Sequence, residues 1–207
     1  RTPLAALRAQ AQLALDDDDP EDMRRSLVAI ERNATHMSRL LNQLLSDASV
    51  IHRSNLQRFA PVDLVETVHQ ALHEALPQAG PAPRVQLAVG VTAASVNGDA
   101  LLLREAIKNL IDNALKYGGP GDLQVALTAD RKCFVLTIAD HGPGIAPADA
   151  ERVFERFARG EGAAAGGAGL GLAIVRRVVD SHGGHIDLSN RPGGGLVATL
   201  TLPGRNT

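Results

Sequence analysis

Tryptophan is absent from this chain of 207 residues, and four Phe with one Tyr make up its aromatic complement. Any core must be filled by aliphatic side chains, which a 44% hydrophobic composition supplies. Length and composition suit one large domain or two small ones. The single cysteine, Cys133, excludes an internal disulfide and fits a reducing compartment. Positive charge is not in excess: the formal net charge of −2 argues against a nucleic-acid partner held by bulk electrostatics. No apolar run approaches the ~18 residues of a membrane span. No G-x-x-x-x-G-K-[ST] occurs and the glycine spacings do not fit G-x-G-x-x-G, so the P-loop and dinucleotide readings lose. Arg1 stands where a whole protein would open with methionine, so the chain reads as a piece of a longer one.

What is present begins with helical periodicity. Leu27, Ile30, Ala34, Met37, Leu41, Leu44, Ala48 and Ile51 alternate spacings of three and four, which keeps one apolar seam on one face. Leu4, Leu7, Ala11 and Ala14 repeat the pattern in a shorter opening helix. Between them "DDDDPED" supplies a turn and a helix start, with Asp19 as N-cap, Pro20 in the first helical position, and Glu21 and Asp22 complementing the dipole. Two such helices cannot bury both seams alone, so two copies are expected to pair into a four-helix bundle.

Beyond a polar link at 52–58 the pattern changes. It predicts a helix over about 63–76, a strand near 84–89, a long helix over 99–117, and strands at 123–128 and 133–139. A Gly/Ala-rich loop, a helix over about 170–182 and a hairpin turning at "RPGGG" complete it. The expected class is α+β: a helical hairpin at 1–57, then at 58–207 an α/β sandwich with one mixed sheet covered by helices on one face.

The long helix carries two stripes. Leu103, Ile107, Leu110 and Ala114 form the buried one, and Glu105, Asn109, Asn113 and Lys116 line another face. Neutral amide oxygens can coordinate a hard cation without adding negative charge beside a polyphosphate, and Mg²⁺ keeps waters and substrate phosphates as its other ligands. In "VLTIADHGPGI", Phe134, Leu136, Ile138 and Asp140 share one side of a strand, so a carboxylate emerges at its end, with Gly142 and Gly144 just beyond. A carboxylate only accepts, so it can take the exocyclic amine of adenine and repel the oxygen of guanine. Such a bond contributes on the order of 1.5–3 kcal/mol. The third element, "GGAGLGLAIVRRVV", runs a glycine-rich loop into a helix N-terminus, whose free N–H groups suit phosphate.

The ordered set "NLIDNALKY", "DHGPGI", "ERVFERFARG" and "GGAGLGLAIV" resembles the N box, first glycine box, F box and second glycine box of bacterial sensor histidine kinases. Their Bergerat-type ATP-binding domain is shared with gyrase B subunits and MutL. "RTPLAALRAQ" resembles the segment just after the phosphoaccepting histidine in H-E-[LF]-R-T-P-L, which opens the dimerisation bundle. The resemblance implies a kinase that binds ATP with Mg²⁺, passes the γ-phosphoryl to a bundle histidine and then to a response-regulator aspartate. It implies Asn113, with Asn109, at Mg²⁺ and nucleotide, Lys116 at phosphate and Tyr117 at the nucleotide. Asp140 would read adenine, with Gly142, Gly144 and Ile145 shaping its pocket. Arg156 and Arg159 would face the γ-phosphate or the bundle. The loop from Gly160 to Ala168 would be a lid closing at Gly167, Gly169, Leu170, Gly171 and Leu172, and Thr2 would support dephosphorylation of the partner. Homodimerisation through the bundle, a receiver-domain partner and a cytoplasmic position beneath an inner-membrane sensor, anchored by upstream segments, are also implied.

Some positions depart from that pattern. The phosphoacceptor histidine is expected three residues before Arg1. None of the seven histidines substitutes: only His73 has an acid directly after it, and Pro77 stands where Thr or Asn is wanted. Ala168 replaces the usual Thr or Ser, and Leu196 stands where many relatives place a threonine near adenine. Asn109 occupies the place of the gyrase branch's water-activating glutamate, and an amide cannot act as that base. His69 and His73, spaced i, i+4, read as a solvated helix face for want of a third metal ligand. "SHGGHI" reads as a helix C-terminus with a glycine stop, and Cys133 as a small packed residue.

Overall fold

The computed structural model describes residues 8–9, 11–12, 19, 21–34, 59–76, 85–119, 121–158 and 169–205. The chain divides into two compact units, Arg1–Ser46 and Asp47–Thr207. In the first, residues 8–9, 11–12 and 21–34 are helical. Asp19 starts the longer stretch: its carboxylate accepts the Glu21 N–H and its carbonyl the Met23 N–H, both at 2.9 Å. These bonds satisfy donors that a helix start leaves without intrahelical partners. Leu27 and Val28 are 55% and 57% exposed, so this unit by itself leaves apolar surface in water. Most of the expected seam, Met37 to Ile51 with Leu4, Leu7 and Ala14, falls outside the described residues.

The second unit runs β1 (Ala60–Asp63), α1 (Leu64–Ala75), β2 (Val85–Val89), β3 (Ser95–Gly98), α2 (Ala100–Tyr117), β4 (Leu123–Asp130) and β5 (Cys133–Ala139). Short 3-10 turns at Pro147–Asp149 and Arg152–Phe154 lead to α3 (Gly171–Ser181), β6 (His185–Asn190) and β7 (Leu196–Pro203). Five strands form a mixed sheet in the order β2-β4-β5-β7-β6, with β2 and β4 parallel and the other pairs antiparallel. β1 and β3 form a separate antiparallel pair that the sequence pattern does not reveal. Each is four residues long, and Pro61, Asn97 and Gly98 are poor strand formers.

The helices begin where carboxylates can cap them. Asp63 accepts from Val65 N–H, and Asp99 from the N–H groups of Leu101 and Leu102. On α2, Leu103, Ile107, Leu110 and Ala114 are buried, as their spacing requires. They join Ile174, Val175, Val178 and Val179 of α3 and inward residues of the sheet such as Leu127, Leu136 and Leu200 in one core. Burying each large aliphatic side chain stabilises the fold by about 1.5–3 kcal/mol relative to exposure. Asn109 and Asn113 of the second stripe of α2 stand beside the N-terminus of α3.

His182 ends α3, with Gly183 next at φ 67°, the expected glycine stop. Its ring is buried, stacks on Phe59 at 4.6 Å and accepts the Asp99 N–H at Nε2, 3.0 Å away. Nδ1 therefore carries the proton and donates to the Val178 carbonyl at 2.7 Å. Burial pushes its pKa below the usual 6.5, outweighing the Val178 carbonyl and the Asp99 charge, which act the other way. The unfolded chain thus takes up this proton first. The resulting stability is fully present above about pH 6.5 and is lost as pH falls through the folded value. Urea unfolding at a series of pH values should show this loss on acidification. His182→Gln should flatten it, and an identical pH slope in that variant would assign the loss to other groups.

Candidate functional site

The site is built where β5 runs out. Asp140 comes after Ala139 on the same side as buried Leu136 and Ile138, and is itself 8% exposed. A carboxylate so placed needs hydrogen bonds. Its Oδ1 accepts the Gly142 N–H at 2.8 Å and the Leu196 N–H at 3.1 Å. Oδ2 has no hydrogen-bond partner among the described residues, where no fully buried side-chain polar atom is left unpaired. Oδ2 is therefore open to solvent. Asp140 lines a small cavity with Ala114, Leu115, Leu123, Asp122 and three glycines, Gly118, Gly119 and Gly121. The cavity is about 20 Å³, room for about one water, so a flat ring offering an N–H donor to the free Asp140 oxygen would enter only as the glycine-lined walls part.

The loop after Asp140 lies against the end of α2. The His141 N–H donates to the Gly118 carbonyl at 3.0 Å, and a β-carbon at Gly142 would collide with the Tyr117 carbonyl. Gly144 adopts φ 74°, a region that favours glycine. Ile145, half-buried, has both its backbone groups bonded to the Asn190 side chain. Arg191 Nη1 donates to the Asp140 carbonyl at 3.0 Å.

One turn up α2 stand the two amides. Asn109 Nδ2 donates to the Glu105 carbonyl at 3.0 Å, which leaves its Oδ1 without a hydrogen bond among the described residues. A β-carbon on Gly171 would lie 3.3 Å from that Oδ1 and 3.6 Å from Asn113 Nδ2. Both asparagines therefore face the first turn of α3, where backbone N–H groups have no intrahelical partner. Asn109 turns its amide oxygen and Asn113 its amide nitrogen toward this turn, so Asn109 offers a neutral oxygen as it stands and Asn113 does so once its amide is reversed. Such oxygens beside free N–H groups fit a hydrated hard cation together with phosphate oxygens. Lys116 is exposed, its ammonium 4.7 Å from the centre of the half-buried Tyr117 ring.

Asn109 and Asn113 thus face Gly171, Asp140 and Gly142 lie against the end of α2, and Gly144 and Ile145 are held by Asn190. Leu170 is buried behind the start of α3, Leu172 is half-buried, and the Gly169 carbonyl accepts the Phe157 N–H at 2.8 Å. Arg156 does not join them: it lines a separate cleft with Phe154, Ala173, Arg176, Arg177 and Asp180 on the outer side of α3. Thr2, Arg159 and Gly167 lie outside the described residues. Sequence reasoning missed Gly118, Gly119, Gly121, Asn190, Arg191 and the backbone of Leu196. The glycine run "YGGPGD" is a legible signal for the first three. A contact made by a backbone N–H, as at Leu196, leaves no mark on residue type.

A mixed sheet carrying helices, a carboxylate at a strand end and an amide-bearing helix define the class of protein. The family model described as histidine kinase-, DNA gyrase B-, and HSP90-like ATPase matches residues 98–206, just over half the chain, and that of the His Kinase A (phospho-acceptor) domain matches residues 1–52. The chain belongs to this family, among the sensor histidine kinases of bacterial two-component systems. It is 34% identical over 204 residues to the sensor protein QseC of Escherichia coli O157:H7, covering 97% of this chain and 44% of QseC. The mycobacterial sensor histidine kinase MprB superposes with a TM-score of 0.62 at 35% identity, covering 72% of this chain and 99% of that one. The ATP binding domain of PrrB from Mycobacterium tuberculosis gives 0.58 at 33% identity, covering 72% and 98%. The chain spans less than half the length of QseC, its full-length relative.

Proposed function

We propose that residues 58–207 bind Mg·ATP and that the γ-phosphoryl passes to a histidine of the dimerisation bundle, then to an aspartate of a response-regulator receiver domain. Residues 1–57 would supply part of that bundle, pairing with a second copy through the apolar face on which Leu27 is left in water. The observation that carries the reading is the divided carboxylate of Asp140, one oxygen tied to two backbone N–H groups and the other open beside the glycine-lined cavity. Adenine would donate its amine to the open oxygen, and the triphosphate would run along α2 toward Asn109, Asn113 and the first turn of α3. Lys116 stands within reach of the same edge of α2, and Arg156 and Arg159 would meet the γ-phosphate or the bundle. Gly142, Gly144 and Ile145 shape the base pocket. Gly169, Leu170, Gly171 and Leu172 would frame the phosphate end, Gly167, outside the described residues, would belong to the lid over it, and Thr2 would assist dephosphorylation of the partner.

Asn113 and Asn109 are the residues that would hold Mg²⁺. The ion, when bound, neutralises phosphate charge, which with positioning is most of the catalysis in phosphoryl transfer. At position 109 an amide has no basic lone pair with which to deprotonate water, so the site favours transfer over hydrolysis. A cytoplasmic location fits the ATP requirement. Among the described residues no helix is long and apolar enough to cross a membrane.

A labelled, non-hydrolysable ATP analogue with Mg²⁺ should bind the purified chain saturably, and binding should weaken on chelation. No binding would reduce the protein to a pairing module. With hydrolysable ATP, steady-state phosphate release should stay near background. Sustained turnover would favour an ATP-driven clamp of the gyrase kind. The chain alone should incorporate no label, since none of its seven histidines has the phosphoacceptor context.

A further inference from the structure

Besides the bonds from His141 to the Gly118 and Asp122 carbonyls, both at 3.0 Å, two anchors on the β6–β7 side hold the loop after β5. At its start Asp140 extends the β5–β7 ladder, its N–H donating to the Leu196 carbonyl at 2.9 Å while Leu196 N–H returns to Oδ1 at 3.1 Å. At its end the Asn190 side chain takes both backbone groups of Ile145, Oδ1 accepting the N–H at 2.8 Å and Nδ2 donating to the carbonyl at 2.7 Å. A primary amide offers an acceptor and a donor side by side, so it serves as a one-residue strand partner for a segment that has none. Between the anchors stand Gly142, Pro143 and Gly144, and glycines leave a backbone free to wander unless something fixes it. A β-carbon on Gly144 would collide with Asn190 Oδ1, so these two residues are fitted to each other. Arg191 adds a hold on the Asp140 carbonyl at 3.0 Å. The end of β6 and the start of its turn thus grip both ends of the loop.

We propose that Asn190 is a positioning residue for nucleotide binding: by clamping Ile145 it holds residues 140–145 in the shape that keeps Asp140 Oδ2 open to the cavity. The inference rests on the reading of that cavity as the adenine site. Asn190 is exposed and does not line the cavity, so removing its amide opens no hole in the core and deletes no contact to the base. It acts through the loop: affinity falls by the fraction of time the loop spends out of its competent shape.

The test titrates Mg²⁺ and a non-hydrolysable ATP analogue into the whole chain and into its Asn190→Ala and Asn190→Asp variants by calorimetry, alongside amide hydrogen exchange. Losing two neutral hydrogen bonds should weaken binding about tenfold in Asn190→Ala. Asn190→Asp keeps the acceptor but sets a carboxylate oxygen against the Ile145 carbonyl, so it should weaken binding at least as much. The Ile145 amide should exchange faster in both, while the melting temperature and the exchange of β5 stay at wild-type values. Weakened binding at an unchanged melting temperature is what a purely structural role would not produce. If the wild-type chain does not bind the analogue, the adenine reading and the clamp both fall. If wild type and Asn190→Ala bind equally, the reading stands and the clamp is overturned. If Asn190→Ala unfolds, Asn190→Asp decides: full affinity in that folded variant overturns the clamp, and weakened affinity upholds it.

Discussion

Asp140→Asn should lower affinity for an ATP analogue ten- to a hundredfold while leaving the fold intact. The amide oxygen can still accept the Gly142 and Leu196 N–H groups that Oδ1 accepts now. It is held in that orientation, because reversing the amide would set N–H against N–H. The amide nitrogen must then stand where Oδ2 was, presenting a donor to the adenine amine, itself a donor. A charge-assisted hydrogen bond worth about 1.5–3 kcal/mol is replaced by a clash of like groups, which sets the factor. The melting temperature should change little. Unchanged affinity by calorimetry would reject Asp140 as the base-reading residue.

Gly142→Ala should damage both stability and binding. A β-carbon there runs into the Tyr117 carbonyl and lies 3.1 Å from the Gly118 Cα, backbone atoms that cannot rotate aside. Overpacking of this kind costs about 1–3 kcal/mol, which in a chain of this size lowers the melting temperature by about 2–4 °C per kcal/mol. Relief requires the loop to lift from the end of α2, which would pull the Asp140 side of the cavity away from its Gly118 side. Gly90→Ala is the control, since a β-carbon there meets only ordinary contacts at 3.6 Å. Equal melting temperatures for the two variants would mean that the loop gives way without loss.

The elements legible in the sequence are those whose periodicity is long. Eighteen residues of α2 carry two distinct stripes, and in β5 Leu136 and Ile138 lead by period two into Asp140, although Val135 and Ala139 make the other side apolar too, so both the helix and the carboxylate can be placed from spacing. β1 and β3 give no such signal. Four residues containing Pro61, or ending in Asn97 and Gly98, are made into strands by pairing with each other, which a local pattern does not encode. For His182 the sequence suggests a helix-end histidine near the negative end of a dipole, an environment that favours its charge. Packed under Phe59 and bonded to the Asp99 N–H, it is instead held neutral, because burial at 6% exposure outweighs the dipole.

The candidate site divides in the same way. Asn109, Asn113, Asp140 and the glycines beside them are recognisable because their side chains, or the lack of them, are what the site uses. Leu196 contributes a backbone N–H that any residue but proline could offer. Asn190 lies 45 positions from the loop it clamps, and only the β6–β7 hairpin brings the two together. For Arg156 the motif suggests the γ-phosphate or the bundle, and its side chain lines a cleft with Phe154, Arg176 and Arg177 beside α3.

The most direct measurement is a crystal structure of the chain with Mg²⁺ and a non-hydrolysable ATP analogue. The expected result is the adenine amine about 2.7–3.2 Å from Asp140 Oδ2, with the triphosphate beside Asn113 and the first turn of α3. A nucleotide bound elsewhere, or one whose base leaves Asp140 Oδ2 facing only water, would contradict the account.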